Sequence, residues 1–233
     1  MTKQEILDFF TENYGVATPK KPRKGKKLGL IVRLIWLVTI IGPVLWFLNR
    51  SAWAKYDAEV ARRAREYPAL YEAEINKFLP NEKLFDKALK KSGFDESQVG
   101  AEAGTRDPIY FRGQDYSKKD MWRKYDNGEY LTSIQTYSAI LFTVDQVVVY
   151  TYIHDFRNDT HKERTEEYFY KDITNVKTSD EEFTSPDGIT QNVNKVVIAA
   201  AGGSLDICLY SLTDEVEESI QAMKQLIRQK KSV

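Results

Sequence analysis

An apolar run at residues 28–48, LGLIVRLIWLVTIIGPVLWFL, constrains what this chain can fold into more than any other stretch of it. A helix over the run would be about 31 Å long, close to the roughly 30 Å hydrocarbon core of a bilayer. Arg33 lies near one end, where its side chain can snorkel toward the headgroups, and Gly42-Pro43 predicts a kink. The run therefore predicts a single transmembrane helix, with a re-entrant or in-plane segment broken at Gly42-Pro43 as the alternative.

A basic linker at residues 16–27 precedes the apolar run. Such a patch beside a membrane segment is attracted to anionic lipid, by about 1 kcal/mol for each basic residue near the surface. The other interpretation is a nuclear-localisation-like or simply soluble tail. Tryptophans are typical of membrane interfaces. The residues expected to contact lipid are Lys20, Lys21, Arg23, Lys24, Lys26, Lys27, Arg33, Trp36 and Trp46.

Charge is distributed unevenly along the chain. Residues 1–27 hold seven basic and three acidic side chains, a net +4, whereas residues 125–219 hold six basic and eighteen acidic ones, a net −12. With Cys208 as the single cysteine and only two histidines, an intramolecular disulfide and the usual Cys/His zinc site are excluded. We expect no metal, no cofactor and no nucleic-acid partner.

Helical patterns occupy much of the first half. Residues 2–14 read as a short amphipathic helix in which Thr2 and Glu5 form a capping box. It either packs on its own domain or docks on a partner or membrane surface. Residues 51–92 form a helical region that Pro68 and Pro80 are expected to divide into about three pieces. Gly93 should end the last piece.

From Tyr130 onward the pattern changes to strands rich in β-branched and aromatic residues. Seven strands are predicted there, and one more short strand near Ile109–Phe111. A last helix capped by Thr213 has acids in its first turn and bases in its last, as the helix dipole favours. Its apolar face is predicted to consist of Val216, Ile220, Met223, Leu226 and Ile227.

Two segments of this region resemble bacterial pleckstrin-homology-like (PH-like) and GRAM-like domains. ILFTVDQVVVY at 140–150 is similar to a hairpin of these domains, and YFYKDITNVK at 168–177 is similar to a second segment of them, with Asp172, Ile173 and Val176 in matching places. The resemblance covers roughly residues 130–231. It implies an α+β protein with a seven-stranded PH-like β-barrel and a C-terminal capping helix.

The sequence as a whole then predicts four parts. They are a short helix with the basic linker (1–27), a transmembrane helix (28–48), a helical stalk and loop region (49–129) and the PH-like domain (130–233). The expected location is the bacterial cell membrane, in a single-pass arrangement whose orientation and oligomeric state stay open.

The predicted function is a membrane-anchored, non-catalytic protein-interaction or scaffold module. Some PH-like domains bind phosphoinositides through basic residues of the first hairpin, but no Lys or Arg occurs from Leu131 to Ile153, so an unknown protein partner, possibly a membrane complex, is favoured. One alternative is a module that senses anionic lipid through residues 20–27 and the first helix. A second is an enzyme, although no recognised catalytic constellation is present.

Overall fold

The structure is a computed structural model of the whole chain, and it describes residues 1–12, 14–19, 42–103, 105–116, 122–124, 130–184, 188 and 190–231. The helices are α1 (Lys3–Phe9), α2 (Gly42–Phe78), α3 (Asn81–Ser92) and α4 (Asp214–Lys231), with short 3₁₀ turns at Glu96–Gln98, Gly100–Ala103 and Tyr170–Asp172. The strands are β1 (Ile109–Gln114), β2 (Trp122–Lys124), β3 (Tyr130–Thr132), β4 (Ile134–Phe142), β5 (Gln146–Asp155), β6 (Thr160–Phe169), β7 (Ile173–Thr184), β8 (Thr190–Ala200) and β9 (Gly203–Cys208). The chain divides into two compact units, Met1–Tyr71 and Glu72–Val233, and the division falls within α2.

The first unit is built on α1 and the greater part of α2. The predicted capping box is confirmed, because the Glu5 amide donates to Thr2 Oγ1 at 3.2 Å and the Thr2 amide donates to Glu5 Oε2 at 2.7 Å. The helix ends at Phe9, sooner than predicted. Aromatic packing holds the two helices together, since the Phe9 ring lies 5.2 Å from that of Tyr71, which is fully buried.

The predicted transmembrane helix, and with it the single-pass membrane location, must be corrected. Among the described helices, none is both long enough and apolar enough to cross a bilayer. Residues 28–41 of that prediction lie outside the described residues, and residues 42–48 form the first turns of α2. The physical reason is the composition of α2, which is 37 residues long in all. From Arg50 onward, its charged side chains follow one another at short intervals. It also runs through Pro68 without a break, contrary to prediction, whereas Pro80 and the left-handed Gly93 do delimit α3.

The second unit contains two antiparallel sheets. The four-stranded sheet has the order β1-β4-β5-β6, the three-stranded sheet has the order β7-β8-β9, and β2 and β3 form a separate ribbon. Alternation directs one face of the four-stranded sheet inward, where Ile140 is opposite Val149 and Phe142 is opposite Val147. These residues share a core with β8, β9 and the predicted apolar face of α4, represented by Ile220, Met223 and Ile227.

The predicted α+β class and C-terminal helix are confirmed, but the seven-stranded barrel is wrong, because the sheets of four and three strands do not close. The consecutive strands β6 and β7 belong to different sheets, because the 3₁₀ turn at Tyr170–Asp172 redirects the chain and buries Tyr170. At the other edge of each sheet, the end of β9 lies beside β1. The Tyr210 amide, just after β9, donates a hydrogen bond to the Arg112 carbonyl of β1 at 2.6 Å, but no β-ladder joins these two strands.

Two strands predicted around residues 130–143 have different limits in the structure. Residues 134–142 form the single strand β4, preceded by the short β3. No glycine or proline interrupts this stretch, and Ser138 lies within 3.2 Å of Thr151 on the neighbouring strand through their hydroxyl oxygens. The second face of the sheet carries Tyr137, whose hydroxyl donates to the Ile75 carbonyl at 2.9 Å.

Candidate interaction site

The lipid-contacting residues expected from the sequence lie almost entirely beyond the described parts of the chain. Lys20, Lys21, Arg23, Lys24, Lys26, Lys27, Arg33 and Trp36 fall in residues 20–41, and Trp46 is described only as part of the α2 backbone. Lipid contact by these residues therefore stays a prediction, and the candidate site comes from a different part of the molecule.

The turn between β4 and β5 forms the first wall of this site. The Thr143 amide donates to the Gln146 carbonyl at 3.0 Å, and the Gln146 amide donates to Thr143 Oγ1 at 3.1 Å. This tight turn leaves only Val144 and Asp145 at its tip. Val144 is 55% exposed.

The end of β6 lies beside this turn. Phe169 is opposite Gln146 in the register and is 51% exposed. The next residue, Tyr170, is buried: its amide donates to the Asp145 carbonyl at 3.1 Å and its hydroxyl donates to the Thr143 carbonyl at 3.0 Å. The chain is therefore anchored under the turn by Tyr170, and alternation leaves Phe169 facing outward.

The 3₁₀ segments after α3 provide the opposite wall. A capping box fixes the first of them, because the Asp95 amide donates to Gln98 Oε1 at 2.8 Å. Together the walls enclose an open cavity of about 550 Å³, which we call the hairpin groove. Its lining residues are Phe94, Ser97, Gln98, Ala103, Thr143, Val144, Asp145, Gln146, Glu167 and Phe169.

The charge of the hairpin groove is negative. Asp145 and Glu167 contribute carboxylates, and none of the described residues that line the groove is Lys or Arg. Lys171, which does not line the groove, has its Nζ 5.7 Å from the centre of the Phe169 ring. The groove thus combines two exposed apolar side chains with two acids, a composition suited to a basic and partly apolar ligand.

A second cluster surrounds His154 on the helix-covered face of the four-stranded sheet. The imidazole is 6% exposed and stacks on Phe78 with ring centres 4.3 Å apart, and its Nε2 lies 3.9 Å from Asp159 Oδ1. Asp155 is engaged elsewhere: it accepts from Ser133 Oγ at 2.9 Å. The two neighbours therefore do not act as an acid–base pair. His161 lies on β6 opposite His154.

His154 should make the stability of the protein depend on pH. Burial lowers the pKa of its imidazole; Asp159 opposes this, His161 adds to it and Asp155 opposes it. Because the unfolded chain binds the proton more readily, the contribution is complete above about pH 6.5 and declines as the pH falls toward the lowered pKa. Thermal unfolding of His154→Phe should lose this acid dependence, whereas the exposed His161→Gln should retain it. Equal acid dependence in both variants would contradict the assignment.

Neither the hairpin groove nor the His154 cluster gives an observation that supports catalysis. Within the described residues, no group of three or more His, Cys, Asp and Glu side chains is placed to hold a metal ion. Burial raises the pKa of the Cys208 thiol, which disfavours the reactive thiolate.

Comparison with known proteins names no relative. No protein-family model matches the chain, and neither does any curated protein or solved structure. The resemblance to PH-like and GRAM-like domains therefore stays a hypothesis that rests on residues 140–150 and 168–177.

Sequence analysis did not identify the hairpin groove, although both segments of the resemblance contribute to it. Val144 comes from the first segment and Phe169 from the second. One signal was available: an apolar residue at the tip of a two-residue turn is unusual, because turns favour Gly, Asn, Asp, Pro and Ser. The side of the groove formed by residues 94–103 gave no such signal.

Proposed function

We propose that this protein is a non-catalytic interaction module, and that the hairpin groove binds a segment of a protein partner. The observation that carries the proposal is the exposure of Val144 and Phe169, which both line an open acidic cavity. Clustered exposed apolar side chains are typical of protein-binding surfaces, and such surfaces owe most of their affinity to a few aromatic or aliphatic anchors.

The charge of the groove indicates the kind of partner. Asp145 and Glu167 favour a segment with Lys or Arg beside an apolar side chain that can contact Val144 and Phe169. The net −12 of residues 125–219 favours the same class of partner at longer range.

The scaffold around the groove supports a binding role, because both walls are held by local hydrogen bonds. Thr143 and Gln146 close the turn, Tyr170 ties it to β6, and Gln98 caps the opposite segment. A surface that is ordered before binding loses less conformational entropy when a partner arrives.

Peptide display on the immobilised full-length chain tests this function. We expect enrichment of peptides in which a basic residue adjoins an apolar one. The double variant Val144→Ala/Phe169→Ala should weaken binding of an enriched peptide by about tenfold or more, because two apolar anchors are truncated. Asp145→Asn/Glu167→Gln should weaken it too and reduce its dependence on salt.

Leu70→Ala is the matched control, because Leu70 is also an exposed apolar residue, at 47%, and does not line the groove. It should leave peptide affinity unchanged, and every variant should keep the thermal transition of the wild type. The proposal is wrong if no consensus is enriched, or if the enriched peptides bind the Val144/Phe169 double variant as tightly as the wild type.

A further inference from the structure

A small basic groove lies between the C-terminal helix and the beginning of β7, at a place that shares no residue with the hairpin groove. Its volume is about 120 Å³. We call it the α4–β7 groove, and its lining residues are Ile173, Thr174, Asn175, Val176, Lys224, Ile227, Arg228 and Lys231.

Three cations form the helical wall of this groove. Lys224, Arg228 and Lys231 follow one another at intervals of four and three residues, which places them along one face of α4. Among the described residues that line the groove, none carries a carboxylate. This is a local reversal of the acidic charge that dominates residues 125–219.

Compensation of the helix dipole accounts for only part of this arrangement. Arg228 and Lys231 lie in the last turn of α4, where cations stabilise the exposed carbonyl groups. Lys224 lies outside that last turn, so the dipole gives no reason for its position. The charge therefore extends along the groove and is not confined to the helix end.

The strand wall supplies neutral polar groups. The ladder between β7 and β8 shifts register between Ile173 and Asn175, so Thr174 occupies a bulge where the strand meets the groove. Such irregularities often redirect side chains at binding sites. Lys231 Nζ donates to the Ile173 carbonyl at 2.5 Å, which joins the last helical turn to this strand.

We propose that the α4–β7 groove binds a phosphate group, as a phosphomonoester or diphosphate. Arg and Lys side chains recognise phosphate by charge-assisted hydrogen bonds, and the Asn175 side chain can add a neutral donor. The Thr174 hydroxyl already donates to the Ala199 carbonyl at 3.1 Å. A volume of about 120 Å³ suits a compact tetrahedral anion better than a peptide chain. The lipid or soluble source of the phosphate is decided by the experiment.

Calorimetric titration of the full-length chain with pyrophosphate tests the site. We expect saturable binding that weakens by about tenfold or more in Lys224→Gln/Arg228→Gln, because two of three cations are lost. Lys231 is left intact because it holds β7. Lys230→Gln is the matched control, because Lys230 also belongs to the last turn but does not line the groove. This variant should bind pyrophosphate with the affinity of the wild type.

Two further arms identify the source. If the group is a lipid headgroup, the protein should bind vesicles of phosphatidylcholine with monophosphorylated phosphatidylinositol. Pyrophosphate should compete with this vesicle binding, and the Lys224→Gln/Arg228→Gln variant should abolish it. Pyrophosphate binding with no such vesicle binding identifies a soluble phosphate. The proposal is overturned if pyrophosphate shows no saturable binding, if sulfate and chloride displace it at equal ionic strength as effectively as phosphate, or if Lys230→Gln weakens it as much as the double variant.

Discussion

Gly113→Ala should destabilise the protein by about 3 kcal/mol or more, the upper part of the range for overpacking. Gly113 lies on β1 where that strand passes directly beside the end of β9. A Cβ atom at this position would overlap the carbonyl carbon and oxygen of Cys208 and lie 2.8 Å from its Cβ. Because the obstructing atoms belong mainly to the backbone, no side-chain rotation can relieve the clash.

Thermal unfolding should report this as a fall in Tm of roughly 6–12 °C, at about 2–4 °C per kcal/mol for a chain of this size. Gly202→Ala is the matched control, because a Cβ atom there would meet no atom within 4 Å. It should change Tm by little. Equal Tm values for the two variants would show that β1 and β9 do not approach each other as closely as the structure places them.

Met223→Ala should have an effect of similar or larger size, about 2–5 kcal/mol, because it leaves a cavity in the shared core. Met223 is fully buried and lies with Ile220 and Ile227 among the core residues of both sheets. Chemical denaturation of the full-length chain would measure the loss as a lower midpoint.

Two companion variants separate packing from other causes. Met223→Leu conserves volume and should cost less than about 1.5 kcal/mol. Gln221→Ala, on the exposed side of the same helix, should stay within about 0.5 kcal/mol of the wild type. If Met223→Ala were as stable as Gln221→Ala, the helix would not be part of the core.

The elements predicted best were those whose signals are local. The Thr2 capping box, the left-handed Gly93 and the Thr213 cap, whose hydroxyl accepts from the Val216 amide at 3.4 Å, each depend on residues a few positions apart. The inward face of α4 was read correctly from its 3.6-residue period, since that pattern reports directly which side is buried.

Predictions that depended on more distant residues were less successful. Pro68 does not interrupt α2, because tertiary context overrides a local helix breaker. The membrane assignment extrapolated from the length of one apolar run, whereas the described part of that run continues into a long charged helix. The barrel was inferred from the number of strands and from the resemblance of two segments, neither of which specifies which strands pair.

Neither groove could be predicted from the sequence, because each is formed by segments that are far apart along the chain. The hairpin groove joins residues around positions 94–103, 143–146 and 167–169, and the α4–β7 groove joins 173–176 to 224–231. Charge counts did suggest an acidic surface and a protein partner. They did not reveal the basic groove, because Lys224, Arg228 and Lys231 lie just outside the stretch 125–219 over which the charge was counted.

The sequence by itself determined the α+β class, the helix caps, the strand-rich second half and the buried face of the last helix, because each follows from hydrogen bonds and periodicity within a few residues. Only the tertiary structure decided that the strands form two separate sheets, that Val144 and Phe169 line the same acidic groove, and that α4 and β7 enclose a basic groove. The physical reason is that these features depend on which distant segments pack together, a choice made by the whole core and by the buried turn at Tyr170.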